Sequence, residues 1–178
     1  MNSAPIRTVL VSLGVLAASA ALAVAGPGAK SHSHSHGEET AYGVPGDAKQ
    51  PVRTIEIAIT DGPGMMKYEP SRIEIRQGEQ VRFVMKNHGL LEHEFVLATF
   101  EEIAAHAKQM EKNPEMEHDE HNMKRLKPGA GTDVLWHFTK PGEFQYACLI
   151  PGHMEAGMKG AVMVTAAKPA AARATKSN

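Results

Sequence analysis

The residues best suited to chemistry lie on one short segment near the C-terminal end of the chain. Cys148, His153 and Met158 form the pattern C-x4-H-x4-M at the end of an alternating segment. A thiolate, an imidazole and a thioether on one loop make a soft set of metal ligands, and adding a second imidazole gives the set found in electron-transfer copper sites. The spacing therefore predicts a copper site that requires one further histidine.

The second imidazole is expected from a different strand, and His93 is the favoured candidate. Phe95 and Leu97 follow it at intervals of two residues, so the three side chains should share the inward face of a strand. His88 is the alternative, but it lies in a glycine-containing turn and lacks this periodic support.

The axial position has two candidates, and Met158 is favoured over Met154. Met154 directly follows His153, and adjacent side chains tend to diverge, whereas Gly157 would let the loop fold back and place Met158. Zinc is the alternative metal, although thioether sulfur is a poor zinc ligand. A binuclear copper site would need a second cysteine in the loop, and the chain has a single cysteine.

Strands must position these ligands, because apolar and polar residues alternate with a period of two over most of the central region. The segments with this pattern are 55–59, 73–75, 81–85, 95–97, 134–138, 144–146 and 160–164. Short strands separated by Gly and Pro turns predict an all-β fold, an antiparallel Greek-key β-sandwich. Residues 100–112 have helical spacing, with Thr99 as N-cap, and a long loop is expected over 113–131.

The chain divides into four predicted regions. Residues 1–25 read as a Sec-type signal peptide, with Arg7 before an apolar run and a small-x-small cleavage site at its end. Residues 26–50 are a flexible His-containing leader, 51–165 the folded domain and 166–178 a disordered tail. We therefore expect a periplasmic protein without stable membrane insertion, in which an oxidising compartment requires Cys148 to be buried or metal-bound.

With these ligands, residues 51–165 resemble the cupredoxins, the small type 1 blue-copper proteins that include plastocyanin and azurin. The similarity is strongest to bacterial periplasmic copper-tolerance cupredoxins, which share a leader with histidines, a helix-and-loop insertion and a Cys-Leu-Ile-Pro-Gly-His ligand loop. The resemblance implies that one copper ion is bound by His93, Cys148, His153 and Met158.

One position departs from the family pattern, because many cupredoxins have Asn after the first histidine where this chain has Glu94. The backbone N–H of Glu94 could still reach the Cys148 thiolate. Asn87 is the candidate for bracing the ligand loop through a side-chain hydrogen bond.

Two further segments are rich in metal-ligating side chains. The first is His32, His34 and His36 in the leader, and the second is Met116, His118, His121 and Met123 in the long loop. Histidine-rich tracts commonly bind metals, so both are candidate weak copper sites. The alternatives are a solvated spacer for the first and an acidic solvated loop for the second. His106 and His137 are left out of both sets.

Two function classes remain for such a chain. The first is copper tolerance, by binding, oxidising or relaying copper, and the two additional His/Met segments favour it. The second is a dedicated one-electron carrier between redox proteins. Beyond these ligands the sequence offers no obvious nucleophile, general base or open coordination position, so we expect no enzyme, and slow oxidation of Cu(I) is the one reaction left open. The expected partners are copper ions and a periplasmic redox or copper-handling protein, and a net charge of −1 argues against nucleic acid.

Overall fold

A computed structural model of the chain describes residues 39–62, 65–116, 118 and 120–168. The predicted signal peptide and the leader histidines His32, His34 and His36 lie outside these residues. The elements in chain order are β1 (Val44–Pro45), β2 (Arg53–Gly62), β3 (Met65–Glu69), β4 (Arg72–Arg76), β5 (Gln80–Asn87), β6 (His93–Ala98), α1 (Phe100–Met110), β7 (Met123–Leu126), β8 (Gly131–His137), β9 (Gly142–Ala147) and β10 (Lys159–Thr165). No helix in the described part of the chain is long and apolar enough to cross a membrane.

The strands in the described ranges form two five-stranded sheets, with the orders β1-β8-β5-β2-β3 and β4-β10-β9-β6-β7. This confirms the predicted all-β sandwich. The expectation of purely antiparallel sheets was wrong, since β2 pairs parallel with β5 and β4 pairs parallel with β10. These partners are not consecutive in the chain, so no short turn marks their pairing in the sequence.

Alternating side chains on the strands build the core between the two sheets. Ile57 and Ile59 on β2, Phe83 on β5 and Trp136 on β8 are all at most 2% exposed. Their strand neighbours in sequence are more accessible, as expected for a strand with one solvated face. The core therefore follows the two-residue period that predicted the strands.

The folded domain begins earlier than the predicted boundary at residue 51. Val44 pairs with His137 to add β1 to the edge of the first sheet. Tyr42 is buried, stacks on Trp136 with ring centroids 5.2 Å apart, and accepts the Trp136 indole N–H at its backbone carbonyl, at 3.2 Å. The end of the predicted flexible leader, from about residue 40, is thus part of the sandwich.

The helix forms where the sequence predicts it, and Thr99 is its N-cap. The Thr99 hydroxyl accepts the backbone N–H of Glu102, and the Glu102 carboxylate accepts the backbone N–H of Thr99, which completes a capping box. The helix ends at Met110, two residues earlier than expected. Ile103 and Met110 are buried, whereas Phe100 is 46% exposed, so the buried face is narrower than predicted.

The predicted loop over 113–131 contains a strand that the sequence analysis missed. Strand β7 pairs antiparallel with β6, and Leu126 lies opposite His93. Helix α1 packs against β6 as well, and all six residues of β6 are buried. Strand β6 therefore has no solvated face, which explains how Glu94 is only 1% exposed although its parity predicts an outward side chain.

Candidate metal centre

Two loops at one end of the sandwich bring three metal-ligating side chains together. His93 begins β6, Cys148 directly follows β9, and His153 lies in the turn between β9 and β10. The Nδ1 atoms of His93 and His153 are 3.2 Å apart, and the Cys148 Sγ lies 3.4 Å from the His153 Nδ1. Among the described residues, this is the one group of three or more His, Cys, Asp or Glu residues whose ligand atoms all lie within 4.8 Å of one another.

The Cys148 thiol is fully buried and receives a backbone hydrogen bond. The backbone N–H of Glu94 donates to the Cys148 Sγ at 3.3 Å, as the sequence analysis anticipated. Burial is the main cause that raises the pKa of Cys148 to about 12 in the metal-free protein, and the Glu94 N–H opposes this shift. The thiol is therefore protonated at neutral pH and must lose its proton when a metal binds.

The ligand loop folds back on itself so that the backbone of Met158 is hydrogen-bonded to that of Cys148 and of His153. The backbone N–H of Cys148 donates to the Met158 carbonyl, and the backbone N–H of Met158 donates to the His153 carbonyl, both at 3.1 Å. Gly157 allows this reversal with a φ of 106°, a conformation that favours glycine. The Met158 side chain is fully buried, whereas Met154 is only partly buried.

His93 is fixed by a carboxylate on the side of its ring opposite the cluster. Its Nε2 atom lies 2.8 Å from the Asp61 Oδ2. The Asp61 carboxylate also accepts the backbone N–H groups of Leu90 and Leu91, each at 3.0 Å. These two backbone hydrogen bonds are the main cause that lowers the pKa of Asp61 to about 2, and the His93 hydrogen bond adds to them.

Asn87 braces the loop that precedes His93, whereas the sequence analysis had proposed it as a brace for the ligand loop. Its side-chain amide donates to the carbonyls of Leu91 and Leu126, at 2.8 and 3.1 Å, and its oxygen accepts the Gly89 N–H at 2.9 Å. His88 lies on the same loop but is exposed and outside the cluster. The structure thus places His93, and not His88, beside Cys148.

The donor chemistry of this cluster fits copper. Two imidazole nitrogens suit Cu(II), and a buried cysteine sulfur that loses its proton suits Cu(I). These donor types suit both oxidation states of copper, and a thioether ligand from Met158 would disfavour zinc.

Comparison with known proteins agrees with this chemistry. Residues 55–165 match the family of copper-binding proteins that includes plastocyanin and azurin. The chain belongs to this cupredoxin family. It is also 47% identical over 126 residues to the copper-resistant cuproprotein CopI of Rubrivivax gelatinosus. This alignment covers 71% of this chain and 74% of that protein. The CopI of Pseudomonas aeruginosa is 34% identical over 153 residues, covering 70% of this chain and 82% of the relative.

Solved cupredoxin structures share the fold. Auracyanin B aligns with a TM-score of 0.57 at 21% identity, over 73% of this chain and 99% of auracyanin B. The dithionite-reduced auracyanin of Roseiflexus castenholzii aligns with a TM-score of 0.53 at 25% identity, over 63% of this chain and 96% of the auracyanin. Both likenesses support a cupredoxin sandwich for the described domain.

A second cluster in this cupredoxin includes one residue of the predicted loop site. The His118 side chain is 3% exposed, and its Nε2 atom lies 3.4 Å from the Met110 Sδ and 3.8 Å from the Glu94 Oε1. The rings of His118 and His106 pack with centroids 4.6 Å apart. The sequence analysis left His106 out of both metal-ligating sets, and its contact with His118 joins the helix to the loop, which no local pattern reveals.

The other predicted members of the loop site lie in different surroundings. His121 is exposed, Met116 is partly buried against the core, and Met123 is a buried residue of β7 that pairs with Val96. Met110 and Glu94 were not included in that predicted site. Met110 lies at the end of the helix and Glu94 on β6, so only the tertiary fold brings them to His118.

Glu94 links this second cluster to the first. Its Oε1 atom accepts a hydrogen bond from the Arg125 Nε at 3.0 Å and forms an ion pair with the Arg125 Nη2 at 2.9 Å. Its backbone carbonyl accepts the hydroxyl of buried Tyr68, and its N–H donates to Cys148. Burial is the main cause that raises the pKa of Glu94, and the Arg125 guanidinium opposes the shift. One residue thus contacts the thiol and His118 through different groups.

Proposed function

We propose that this chain is a periplasmic copper-resistance cupredoxin with one type 1 copper site formed by His93, Cys148, His153 and Met158. The observation that carries the proposal is the convergence of the His93 Nδ1, His153 Nδ1 and Cys148 Sγ atoms in a protein of a copper-binding family. The names of the two CopI relatives support copper resistance as the role. The signal-peptide pattern of residues 1–25 supports export.

The residues around the site prepare it to hold copper with little rearrangement. Copper bound there supplies one-electron chemistry between Cu(I) and Cu(II). Asn87 and Asp61 fix the loop before His93, and the hydrogen bonds between Cys148, His153 and Met158 fix the other loop. Because both loops are anchored to strands, the ligands keep their positions when the charge of the metal changes. Cys148 gives up its proton on binding and is stabilised as a thiolate by the Glu94 N–H.

We also propose weaker copper binding outside the central site. His32, His34 and His36 remain candidates for one such site. A second candidate site is the loop set of Met116, His118, His121 and Met123. Because His118 contacts Met110 and Glu94, we propose these two residues as further ligands. A thioether and a carboxylate that each lie within 4 Å of the same imidazole nitrogen are suitable donors for copper. Such sites would let the protein bind, oxidise or relay excess copper.

A growth experiment separates copper resistance from the second candidate, a dedicated electron carrier. The exposed side chains of Leu90 and Leu91, on the loop before His93, favour the carrier because an apolar surface near the partly exposed His153 could dock a redox partner. A strain lacking the gene should lose copper tolerance while respiring normally, with and without oxygen. A respiratory defect without copper sensitivity would support the carrier instead.

Complementation links this phenotype to the site. The unsubstituted gene should restore tolerance, whereas Cys148→Ser should not, because it removes the thiolate ligand and leaves a folded sandwich. Purified copper-loaded protein should show intense visible absorption from thiolate-to-copper charge transfer, and Cys148→Ser should lack it. Persistence of that absorption in Cys148→Ser would refute the ligand assignment. An exposed substitution such as Lys67→Gln, which disrupts only a surface ion pair with Glu69, serves as the matched control.

A further inference from the structure

We propose that Asp61 is a positioning residue for the metal ligand His93, which fixes one orientation and one tautomer of the imidazole and favours Cu(II) over Cu(I) at the site. This inference rests on the proposed function, because it requires His93 to bind copper through Nδ1. Neither the spacing of the ligands nor the family pattern pointed to Asp61.

The neighbours of the two ring nitrogens of His93 determine its tautomer. The Asp61 Oδ2 lies 2.8 Å from the His93 Nε2, and the His93 Nδ1 faces the Nδ1 of His153 at 3.2 Å. A carboxylate can only accept a hydrogen bond, so its partner nitrogen carries the hydrogen. The hydrogen therefore lies on Nε2, and the lone pair of Nδ1 points towards the other ligands. This is the tautomer that a metal at the cluster requires.

Hydrogen bonds hold the Asp61 carboxylate firmly in place. Oδ1 accepts the Leu90 N–H and Oδ2 accepts the Leu91 N–H, so three donors fix Asp61. The chain approaches it closely at Gly89, where an added Cβ would lie only 1.8 Å from the Asp61 Oδ2. Only glycine allows this approach. Asp61 thus joins β2 to the loop before His93 and sets the direction of the imidazole.

The Asp61 carboxylate also places a negative charge beside His93. The side chains of His93 and Asp61 are 0% and 7% exposed, so solvent screens their interaction weakly. A carboxylate bonded to a ligating imidazole makes that imidazole a stronger donor. Its negative charge also attracts a doubly charged ion more strongly than a singly charged one. Asp61 should therefore stabilise the oxidised site and lower its reduction potential.

The main test compares Asp61→Asn with Asp133→Asn in the purified full-length protein. Asp61→Asn removes the charge but keeps the shape, and should weaken Cu(II) binding by about 10- to 100-fold, the usual effect of removing an outer hydrogen-bond partner. Cu(I) binding should weaken less. Each tenfold difference between the two losses raises the potential by about 59 mV for a one-electron couple. Asp133→Asn removes the same charge from an exposed ion pair with Arg82 and should leave both affinities and the potential unchanged.

A metal-free measurement tests the tautomer independently. Nitrogen NMR of the unsubstituted apoprotein should show the His93 hydrogen on Nε2, and Asp61→Ala, which removes the acceptor, should populate the Nδ1–H form. Thermal unfolding of each apoprotein checks that the variants fold. A hydrogen on Nδ1 in the unsubstituted protein, or a potential in Asp61→Asn equal to that of Asp133→Asn, would overturn the proposal. Failure of the unsubstituted protein to bind copper would instead refute the proposed function.

Discussion

His93 and His88 lie five positions apart and differ completely in environment. His93 is fully buried with its Nδ1 atom 3.2 Å from the His153 Nδ1, whereas His88 is exposed. We expect His93→Ala to weaken copper binding by more than the roughly 10- to 100-fold typical of an outer hydrogen-bond partner, because it removes a direct ligand. His88→Ala is the matched control and should retain full affinity. Competition with a Cu(II) chelator measures both, and equal losses would contradict the assignment.

For individual residues, the sequence predicted the candidate metal ligands better than the residues that hold those ligands in place. Spacing and parity pointed to His93 and Cys148 because a ligand loop and a strand face are local patterns. Asp61 was missed, although it continues the inward parity of Ile57 and Ile59 and a charged residue at such a position is unusual. Its partner His93 lies 32 residues away, and no local rule links the two.

The stretch from Thr40 to Pro45 is an element of the domain, and Tyr42 tests this claim. Tyr42→Ala should destabilise the apoprotein by about 3–5 kcal/mol, the usual cost of removing a large buried aromatic side chain. Tyr42→Phe keeps the ring stacked on Trp136 and loses only the hydrogen bond between its hydroxyl and Asn122, so it should cost about 1 kcal/mol. Chemical denaturation gives both values. A Tyr42→Ala variant as stable as the unsubstituted protein would show that this stretch does not support the sandwich.

The elements that the sequence predicted well are those with strong local signals. Thr99 and the helical period of 100–112 marked the helix, and two-residue alternation marked the long strands. Strand β1 has only two residues, and β7 has only four within a polar segment, so neither shows a recognisable period. Both depend on pairing with distant partners, which β8 and β6 supply.

Over the whole molecule, the segment between β6 and β8 covers β6 and adds a second cluster of polar side chains to the sandwich. Helix α1 and strand β7 cover β6 and bury Glu94, whose backbone contacts Cys148 and whose carboxylate lies 3.8 Å from His118. The buried second cluster and the central site therefore share one residue. The contacts of His118 with Met110 and Glu94 are the support for our proposal of a second copper site.

The number of copper ions bound per chain tests this idea at the scale of the whole protein. Titration of the full-length apoprotein at neutral pH should give a stoichiometry above one, with the additional ions held more weakly because the single cysteine of the chain belongs to the central site. Deleting residues 31–36 should lower the stoichiometry, and so should His118→Ala or Met110→Leu, which keeps the apolar volume but removes the sulfur.

His137→Ala is the control for these variants, since His137 lies on β8 and contacts the Gly78 carbonyl.

The additional binding should weaken as pH falls through the histidine range, because a protonated imidazole cannot bind a metal. Burial lowers the pKa of His118, so copper at this cluster should persist to lower pH than copper at an exposed histidine tract. A one-to-one titration that none of the substitutions alters would refute the additional sites. The exposed apolar surface around Leu90 and Leu91 would then favour the electron carrier over copper resistance.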